Sequence, residues 1–483
     1  MGKIESFDLE GIFEALKTKE SEAIDRLIEW LRIPSISTDS KHRPQMREAA
    51  QWAVEQLREA GIEAELKDTG SPELPGHPIV WAEYGGGSQY RGPHVLFYGH
   101  YDVQPPDPLS LWHSPPFEPV IVDADGPAED DVPQRRIVAR GAVDDKGQVA
   151  SFLEALRAWK VQTGEVPIRL TVLLEGEEES GSVNLGRFVR DHQEALSKCD
   201  ICVISDTGQL ARGKPAITTG VRGMAYTNIV LHGPDQDLHS GMWGGKCPNP
   251  INELSKVLAQ LWDSDRKVTI PGFYDAVLLI SEEEKEAWSR VPQDPIGALR
   301  KIGLPPEADV GETGFSPLER EWARPTADIN GIWGGYQGEG AKTVIPSYAG
   351  AKVSFRLVAD QDPEAITQAF FEWLEDRTPP GCRWELTDLH GGHPGNVSAD
   401  SPYLKAAMKA LEVAGGCTPH LIKSGGSIPV VGLLKAELDL DTLLIGFGLD
   451  DDRVHSPNEK FEIDCFTLGM RTHAALIAEF AAE

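Results

Sequence analysis

The chain has 483 residues, and 46 Lys and Arg residues against 76 Asp and Glu residues give it a formal net charge of −30. This acidic balance argues against binding to nucleic acid or to an anionic membrane surface, because phosphates are bound by clustered Lys and Arg side chains. The composition, 40% hydrophobic and 25% charged, is that of a globular protein with a large core, and the length predicts about two to four domains.

The first half of the chain alternates helical and strand-like segments. Apolar residues at helical spacing predict helices over residues 11–33 and 45–60. Short apolar runs then predict strands at 79–81, 95–98, 170–174 and 201–204, with a helix at 148–160 among them. This alternation indicates a mixed α/β sheet covered by helices. Ligands of such sheets bind beyond the carboxyl ends of strands, so polar residues that follow these strands are site candidates.

The pattern changes near Lys214. Residues 224–232 and 351–358 alternate as half-exposed antiparallel strands do, and charged helical segments are predicted at 281–291 and 364–376. These features predict a separate α+β domain. Helical periodicity returns at 406–413, and a strand-like segment at 443–447 leads into an acidic loop.

No run approaches the ~18 apolar residues that span a bilayer, and the first ten residues lack the basic end and apolar middle of a signal peptide. We therefore expect a cytoplasmic protein. The cysteines are few for this length and are expected to be buried, reduced thiols: Cys199, Cys202, Cys247, Cys382, Cys417 and Cys465.

The first chemical motif follows the strand at 95–98. His100 and Asp102 are two residues apart, so in an extended segment their side chains point to the same side. One interpretation is a histidine hydrogen-bonded to its neighbour. The other is that His100 binds a metal and Asp102 orients the ring, as is usual for metal-bound imidazoles.

Two acidic motifs follow. Asp144 and Asp145 lie in a turn just before the helix at 148–160, where Asp144 could bridge two cations or the pair could cap the helix. The strand at 170–174 ends in Glu175-Gly-Glu-Glu-Glu179, which is either a solvated charged segment or a place where one carboxylate binds metal and another takes a proton from water.

Asp206 after the strand at 201–204 and His455 in the acidic C-terminal loop complete the set. Two imidazoles and several carboxylates, without a thiolate, suit one or two zinc ions. A Gly-x-Ser-x-Gly elbow, a His-x-x-x-His pair and a Walker loop are absent from the sequence, so other common hydrolase and nucleotide mechanisms lack support.

In order and spacing, these five separated segments closely resemble those of the dinuclear zinc peptidases of the aminoacylase, carboxypeptidase G and succinyl-diaminopimelate desuccinylase family. Within it, the chain is most similar to the cytosolic nonspecific dipeptidase and carnosine dipeptidase branch, from about residue 20 to the C-terminus. The resemblance implies that Asp144 bridges two divalent metals, that His100 and Asp206 complete one site, and that Glu179 and His455 complete the other. Zinc is the expected metal, with manganese or cobalt as alternatives.

The same resemblance implies catalytic roles for three residues. Glu178 would be the general base on the bridging water, and Asp102 would orient His100. His239 would be the lid histidine that reaches into the partner's active site in family dimers, so a homodimer is expected. Without the resemblance, an exposed loop histidine would be the preferred interpretation of His239.

Four residues are implied to hold the carboxylate and backbone of a small peptide substrate: Thr343, Arg356, His390 and Ser427. The chain departs from the dipeptidase branch at Ser347-Tyr348, at Lys423-Ser424 and at Gly395. These departures lie near the expected substrate pocket, so they leave the reaction class intact and the preferred side chains open.

The expected fold is therefore α/β: a zinc-peptidase α/β/α body with an inserted α+β lid and dimerisation domain. The body comprises residues 1–214 and 393–483, and the lid comprises residues 215–392. The expected reaction is metal-dependent hydrolysis of the amide bond of dipeptides or short peptides with a free C-terminal carboxylate. Two alternatives stay open: an N-acyl amino acid deacylase that uses the same site, and a non-catalytic metal-binding scaffold.

Overall fold

The structure is a computed structural model, and it describes residues 8–71, 74–87, 90, 92–123, 135–292 and 294–482. Its contacts divide the chain into two compact units. The first unit comprises residues 1–219, 397–422 and 436–483, and the second comprises residues 220–396 and 423–435. The contacts thus place residues 423–435, which the sequence analysis assigned to the body, with the second unit.

The strands of both units are numbered in chain order: β1 (Glu63–Lys67), β2 (Ile79–Tyr84), β3 (His94–His100), β4 (Val120–Asp123), β5 (Arg135–Val138), β6 (Arg169–Glu175), β7 (Ile201–Ile204), β8 (Ala216–Val221), β9 (Gly223–His232), β10 (Leu238–His239), β11 (Thr326–Gly334), β12 (Val344–Ile345), β13 (Tyr348–Leu357), β14 (Arg383–Gly392), β15 (Gly395–Asn396), β16 (His420–Ser424), β17 (Thr442–Leu444) and β18 (Lys460–Glu462). The helices are numbered in the same way: α1 (Leu9–Thr18), α2 (Glu20–Leu31), α3 (Arg43–Glu59), α4 (Lys146–Thr163), α5 (Leu185–Asp191), α6 (Gln193–Leu196), α7 (Ser240–Trp243), α8 (Pro250–Leu258), α9 (Glu282–Ser289), α10 (Pro295–Lys301), α11 (Pro317–Ala323), α12 (Pro363–Glu375), α13 (Pro402–Gly415), α14 (Pro429–Leu438) and α15 (Ile463–Ala482).

The first unit is built on a mixed sheet in the order β1-β2-β6-β3-β7-β17-β8. Its centre is parallel, since β3 runs parallel to both β6 and β7 and β17 runs parallel to β7. Helices cover both faces: Phe97 of β3 stacks on Phe152 of α4, and Trp81 of β2 contacts Phe188 of α5. Burial on both faces explains why the central strands are continuous apolar runs rather than alternating ones.

The second unit contains an antiparallel sheet in the order β11-β13-β9-β14. Helices α8 and α12 pack on this sheet, and residues of β9 alternate between buried and half-buried positions. One face of the sheet therefore forms the core of this unit, around Phe355, Phe370 and Trp373.

The α/β class and most segments agree with the sequence analysis, with two corrections. The helical stretch predicted at 11–33 is two helices: α1 ends just before Lys19, and α2 begins just after it. The cysteines were expected to be buried, but Cys417 is exposed and Cys247 and Cys382 are half-buried. None of the described helices is both long enough and apolar enough to cross a membrane.

One core histidine makes the stability of the first unit depend on pH. His473 of α15 is surrounded by the rings of Phe97, Phe152 and Phe447, and its Nε2 lies 3.1 Å from the Ser205 hydroxyl. Burial lowers the pKa of His473 to about 3. Because an unfolded histidine titrates near about 6.5, the unfolded chain takes up a proton in acid that the folded chain does not.

The stability contributed by neutral His473 is therefore present above about pH 6.5 and is lost as the pH falls toward 3. Between pH 7 and 4.5, the free energy of unfolding of the wild type should fall by about 2 to 3 kcal/mol more than that of His473→Gln. Denaturant unfolding at several pH values measures both. Parallel curves for the two proteins would contradict the assignment.

Candidate metal centre

The parallel strands bring polar residues to one edge of the central sheet. His100 is the last residue of β3 and pairs in register with Glu175, the last residue of β6. Glu178 and Glu179 lie three and four residues after the end of β6, and Asp206 lies two residues after β7. Because the three strands are adjacent and parallel, residues distant in sequence meet at their carboxyl ends.

Two groups of three side chains at this edge have the spacing of metal ligands. The first group is His100, Asp144 and Asp206: the Nε2 of His100 lies 3.1 Å from Asp144 Oδ1 and 3.7 Å from Asp206 Oδ2. The second group is Asp144, Glu179 and His455: the Nε2 of His455 lies 2.9 Å from Asp144 Oδ2 and 3.1 Å from Glu179 Oε2. Asp144 belongs to both groups and offers a different oxygen to each.

The acidic segment that begins at the last residue of β6 contains two kinds of carboxylate. Glu175 accepts hydrogen bonds from the hydroxyls of Tyr98 and Ser182. Glu177 accepts from the backbone N–H of His77 and from the backbone and side-chain amides of Asn184. These two buried glutamates hold the loop in place, and the segment is therefore not a uniformly solvated charged run.

The two residues after Glu177 are placed differently. Glu179 accepts a hydrogen bond of 2.8 Å from the Gln104 side chain, and its backbone N–H donates to Asp102 Oδ2 at 3.0 Å. The carboxylate of Glu178 accepts no hydrogen bond from the part of the chain that the structure describes. It is thus free to exchange a proton with a bound molecule.

The helix-cap interpretation of the two aspartates does not account for their contacts. Asp145 occupies the N-cap position of α4, but its side chain makes no capping hydrogen bond; instead its Oδ2 accepts from the backbone N–H of His100 at 3.2 Å. The ring Nδ1 of His100 lies 3.1 Å from the backbone oxygen of Asp102 and 3.4 Å from its Oδ1. Asp102 and Asp145 therefore hold His100 from two sides, which leaves its Nε2 directed toward the ligand groups.

The electrostatics of the cluster favour cations. Burial raises the pKa of Glu178 to about 8 and that of Asp206 to about 6, and neighbouring carboxylates add to both shifts. Hydrogen bonds to the two carboxylates that it contacts raise the pKa of His455 to about 10. Burial alone would lower the pKa of His100, but the surrounding aspartates raise it well above its usual value. The cluster therefore concentrates more negative charge than its two imidazoles neutralise.

The residues present fit a bound divalent metal. Among the described residues, the buried atoms that lack a hydrogen-bond partner include His100 Nε2, Asp102 Oδ1 and Asp145 Oδ1, and buried polar atoms are rarely left unpaired without a reason. Nitrogen and oxygen donors in sets of three, with no thiolate among them, suit zinc and similar cations.

The other predicted site residues belong to the second unit. Arg356 of β13 donates a hydrogen bond of 2.9 Å from Nη1 to the Ser427 hydroxyl, so these two residues are in contact. His239 is exposed, and its Nδ1 accepts a hydrogen bond from the backbone N–H of Gly241. Its strand β10 pairs with β12, which begins at the residue after Thr343. The backbone of His390 lies in β14, but its side chain lies outside the described residues.

Sequence reasoning missed two groups that contact the predicted ligands. Gln104 donates to Glu179, and the buried Glu459 accepts from the backbone N–H of Asp144 at 3.2 Å. Gln104 stands two residues after Asp102, and Glu459 stands four residues after His455. Their closeness in sequence to predicted site residues could have indicated a role in the site. A single sequence, however, does not show which way their side chains point.

The chain is similar in sequence and in structure to known proteins. The model of the family described as Peptidase family M20/M25/M40 matches residues 96–479. The Cys-Gly metallodipeptidase dug1 of Schizosaccharomyces pombe is 31% identical over 98% of this chain and 98% of its own. Two solved structures are similar over almost their whole length. They are the dipeptidase Dug1p of Saccharomyces cerevisiae (TM-score 0.75, 29% identity, 99% of both chains) and human carnosine dipeptidase 1 (TM-score 0.74, 30% identity, 98% of both chains).

Proposed function

Because the chain belongs to Peptidase family M20/M25/M40, we propose that it is a metal-dependent dipeptidase that hydrolyses the amide bond of dipeptides or short peptides with a free C-terminal carboxylate. The observation that carries the proposal is the pair of ligand groups that share Asp144. Glu178 interacts electrostatically with members of both groups, and its carboxylate accepts no hydrogen bond from the described residues. The similar proteins described as Cys-Gly and carnosine dipeptidases support the substrate class.

We propose that the five residues of the two groups hold two divalent cations, with Asp144 between them. Two bound cations would polarise the scissile carbonyl and lower the pKa of a shared water. Histidine and carboxylate donors support zinc, and manganese and cobalt are the alternatives that removal and return of defined metals would separate.

Glu178 is the proposed general base. Its neighbour Glu179 is held by Gln104 and His455, whereas the Glu178 carboxylate has no such hydrogen bond within the described ranges. A carboxylate in this position can take a proton from water and return it to the leaving amine. Asp102 is proposed to keep the His100 ring oriented, in accord with the contacts of the ring Nδ1 with this residue.

Residues of the second unit are proposed to bind the substrate. The planar guanidinium of Arg356, steadied by the Ser427 hydroxyl, suits the free carboxylate of a dipeptide, with Thr343 and His390 contacting the peptide backbone. The exposed imidazole of His239 is proposed to stabilise the oxyanion in the partner subunit of a homodimer. Location in the cytoplasm stays a prediction from the sequence.

Replacement of the proposed base tests the reaction. Glu178→Gln should lower kcat by at least about 100-fold on every hydrolysed member of a panel of dipeptides, while the bound metal measured by elemental analysis stays the same. Glu194→Gln, which removes one exposed carboxylate on α6, should keep wild-type kcat and is the matched control. Retained turnover in Glu178→Gln would contradict the assignment. If the wild type hydrolyses N-acyl amino acids but no dipeptide, the deacylase replaces the dipeptidase.

A mixing experiment tests the proposed dimer. Glu178→Gln keeps an intact His239, and His239→Ala keeps an intact base, so mixed dimers would contain one complete site. Combining the two inactive variants under conditions of subunit exchange should restore up to about a quarter of wild-type activity, because half of randomly formed dimers are mixed and each has one competent site of two. No recovery although labelled subunits exchange would contradict a contribution from the partner.

A further inference from the structure

A single buried carboxylate joins the loop that carries Asp144 to the loop that carries His455. Glu459 is fully buried, and its two oxygens accept four hydrogen bonds. Oε2 accepts from the guanidinium of Arg140 at 2.6 Å and from the backbone N–H of Gly141 at 3.0 Å. Oε1 accepts from the backbone N–H groups of Val143 at 3.0 Å and of Asp144 at 3.2 Å. Three of the four donors are thus backbone groups of the turn that ends in Asp144.

Strand pairing determines the position of Glu459. Strand β18 pairs with β5, with Lys460 opposite Val138, and the backbone N–H of Ala139 donates to the Glu459 oxygen at 3.1 Å. The ladder therefore extends one residue beyond β5, to the start of the Asp144 turn. Glu459 is therefore the last residue of this pairing and lies against the Asp144 turn. Asn458, one residue closer to His455, is outside the pairing.

The neighbours of Glu459 on its own loop are also fixed. The side chain of Asn458 accepts from the backbone N–H of His113 at 2.7 Å and donates to the backbone oxygen of Leu111 at 2.8 Å. On the other side, the Lys460 ammonium contacts Asp452 at 2.6 Å and Glu462 at 2.9 Å. The loop is thus held on both sides of Glu459, so the carboxylate has little freedom to leave the turn.

The hydrogen bonds of Glu459 indicate that it holds the backbone of the Asp144 turn rather than binding a metal. Both oxygens are engaged by N–H donors, two donors on each, so Glu459 is not arranged as a further metal ligand. Several converging backbone N–H groups form a concave site for an anion, and a buried carboxylate with four donors is strongly localised. By holding the backbone of Asp144, Glu459 limits where the Asp144 carboxylate can lie relative to His455.

We propose that Glu459 is a positioning residue that holds the Asp144 turn and the His455 loop in the geometry that binds both cations. The inference rests on the proposed function, because it assumes that Asp144 and His455 bind metal. Arg140 is its partner: the guanidinium is buried, contacts Oε2, and donates to the backbone oxygen of Pro105 at 3.3 Å.

Metal affinity of the full-length, metal-stripped protein tests the inference, measured with zinc in competition with a chromogenic chelator. In Glu459→Gln, an amide N–H group faces backbone N–H donors, so the turn loses its anion and gains a repulsive contact. The expected result is zinc binding about 10 to 100 times weaker than wild type, the range typical of residues that support metal ligands. The matched control is Asp450→Asn, which removes one exposed carboxylate from the same loop and should stay within about twofold of wild type.

A second variant keeps the test valid if Glu459→Gln does not fold. Arg140→Gln leaves the three backbone donors and the carboxylate in place, and its zinc affinity should fall by a smaller factor, about 3 to 10. With excess zinc, Glu459→Gln should recover much of its kcat with an unchanged KM for the dipeptide. A merely structural role would instead lower the thermal midpoint and leave zinc affinity unchanged in the folded protein.

The inference is overturned if folded Glu459→Gln, or folded Arg140→Gln, binds zinc as tightly as Asp450→Asn does. Variants of the ligands themselves distinguish this outcome from failure of the proposed function. If Asp144→Asn and His455→Ala also bind zinc like the wild type, the metal centre itself is wrong. If these two lose zinc while the Glu459 and Arg140 variants do not, only the positioning role is lost.

Discussion

Repulsion among buried carboxylates is the constraint on which the rest of this structure depends. Asp102, Asp144, Asp145 and Asp206 gather around one histidine, and the neighbouring Glu178 has a pKa raised to about 8 by burial and by nearby carboxylates. Like charges at this spacing destabilise one another unless cations or donors compensate them. The two imidazoles compensate part of the charge, and the proposed cations compensate the remainder. The same excess of negative charge that costs folding free energy favours the binding of cations at this site.

The acidic residues of this fold have two different roles: some are placed to bind metal, and others hold loops by hydrogen bonds. Parallel strands deliver His100, Glu179 and Asp206 to one edge of the sheet. Other acids in the same segments hold loops instead: Glu177 accepts backbone and amide N–H groups, and Glu459 binds the Asp144 turn. A carboxylate whose oxygens are saturated by N–H donors is structural, and one whose oxygens lack such donors is available for metal or proton. The number of N–H donors to its oxygens therefore distinguishes a structural carboxylate from an available one. Charge and position in the sequence do not make this distinction.

The sequence predicted the parts of this structure that depend on local pattern. Strands β3, β6 and β7 are continuous apolar runs, and the predicted ligands His100, Glu179 and Asp206 lie at or shortly after the ends of these strands. The break at Lys19 between α1 and α2 was missed, because apolar residues keep their helical spacing across it. Residues 423–435 lie with the second unit because of long-range contacts, and no composition change marks that boundary. Glu459 was missed for the same reason: its role depends on the pairing of β18 with β5.

Anomalous X-ray diffraction from crystals of the metal-loaded protein, recorded on both sides of the zinc absorption edge, tests the central claim most directly. The account predicts two anomalous peaks, one bounded by His100, Asp144 and Asp206 and the other by Asp144, Glu179 and His455. A protein that hydrolyses dipeptides with one peak, with no peak, or with metal away from Asp144 would contradict the shared-carboxylate centre.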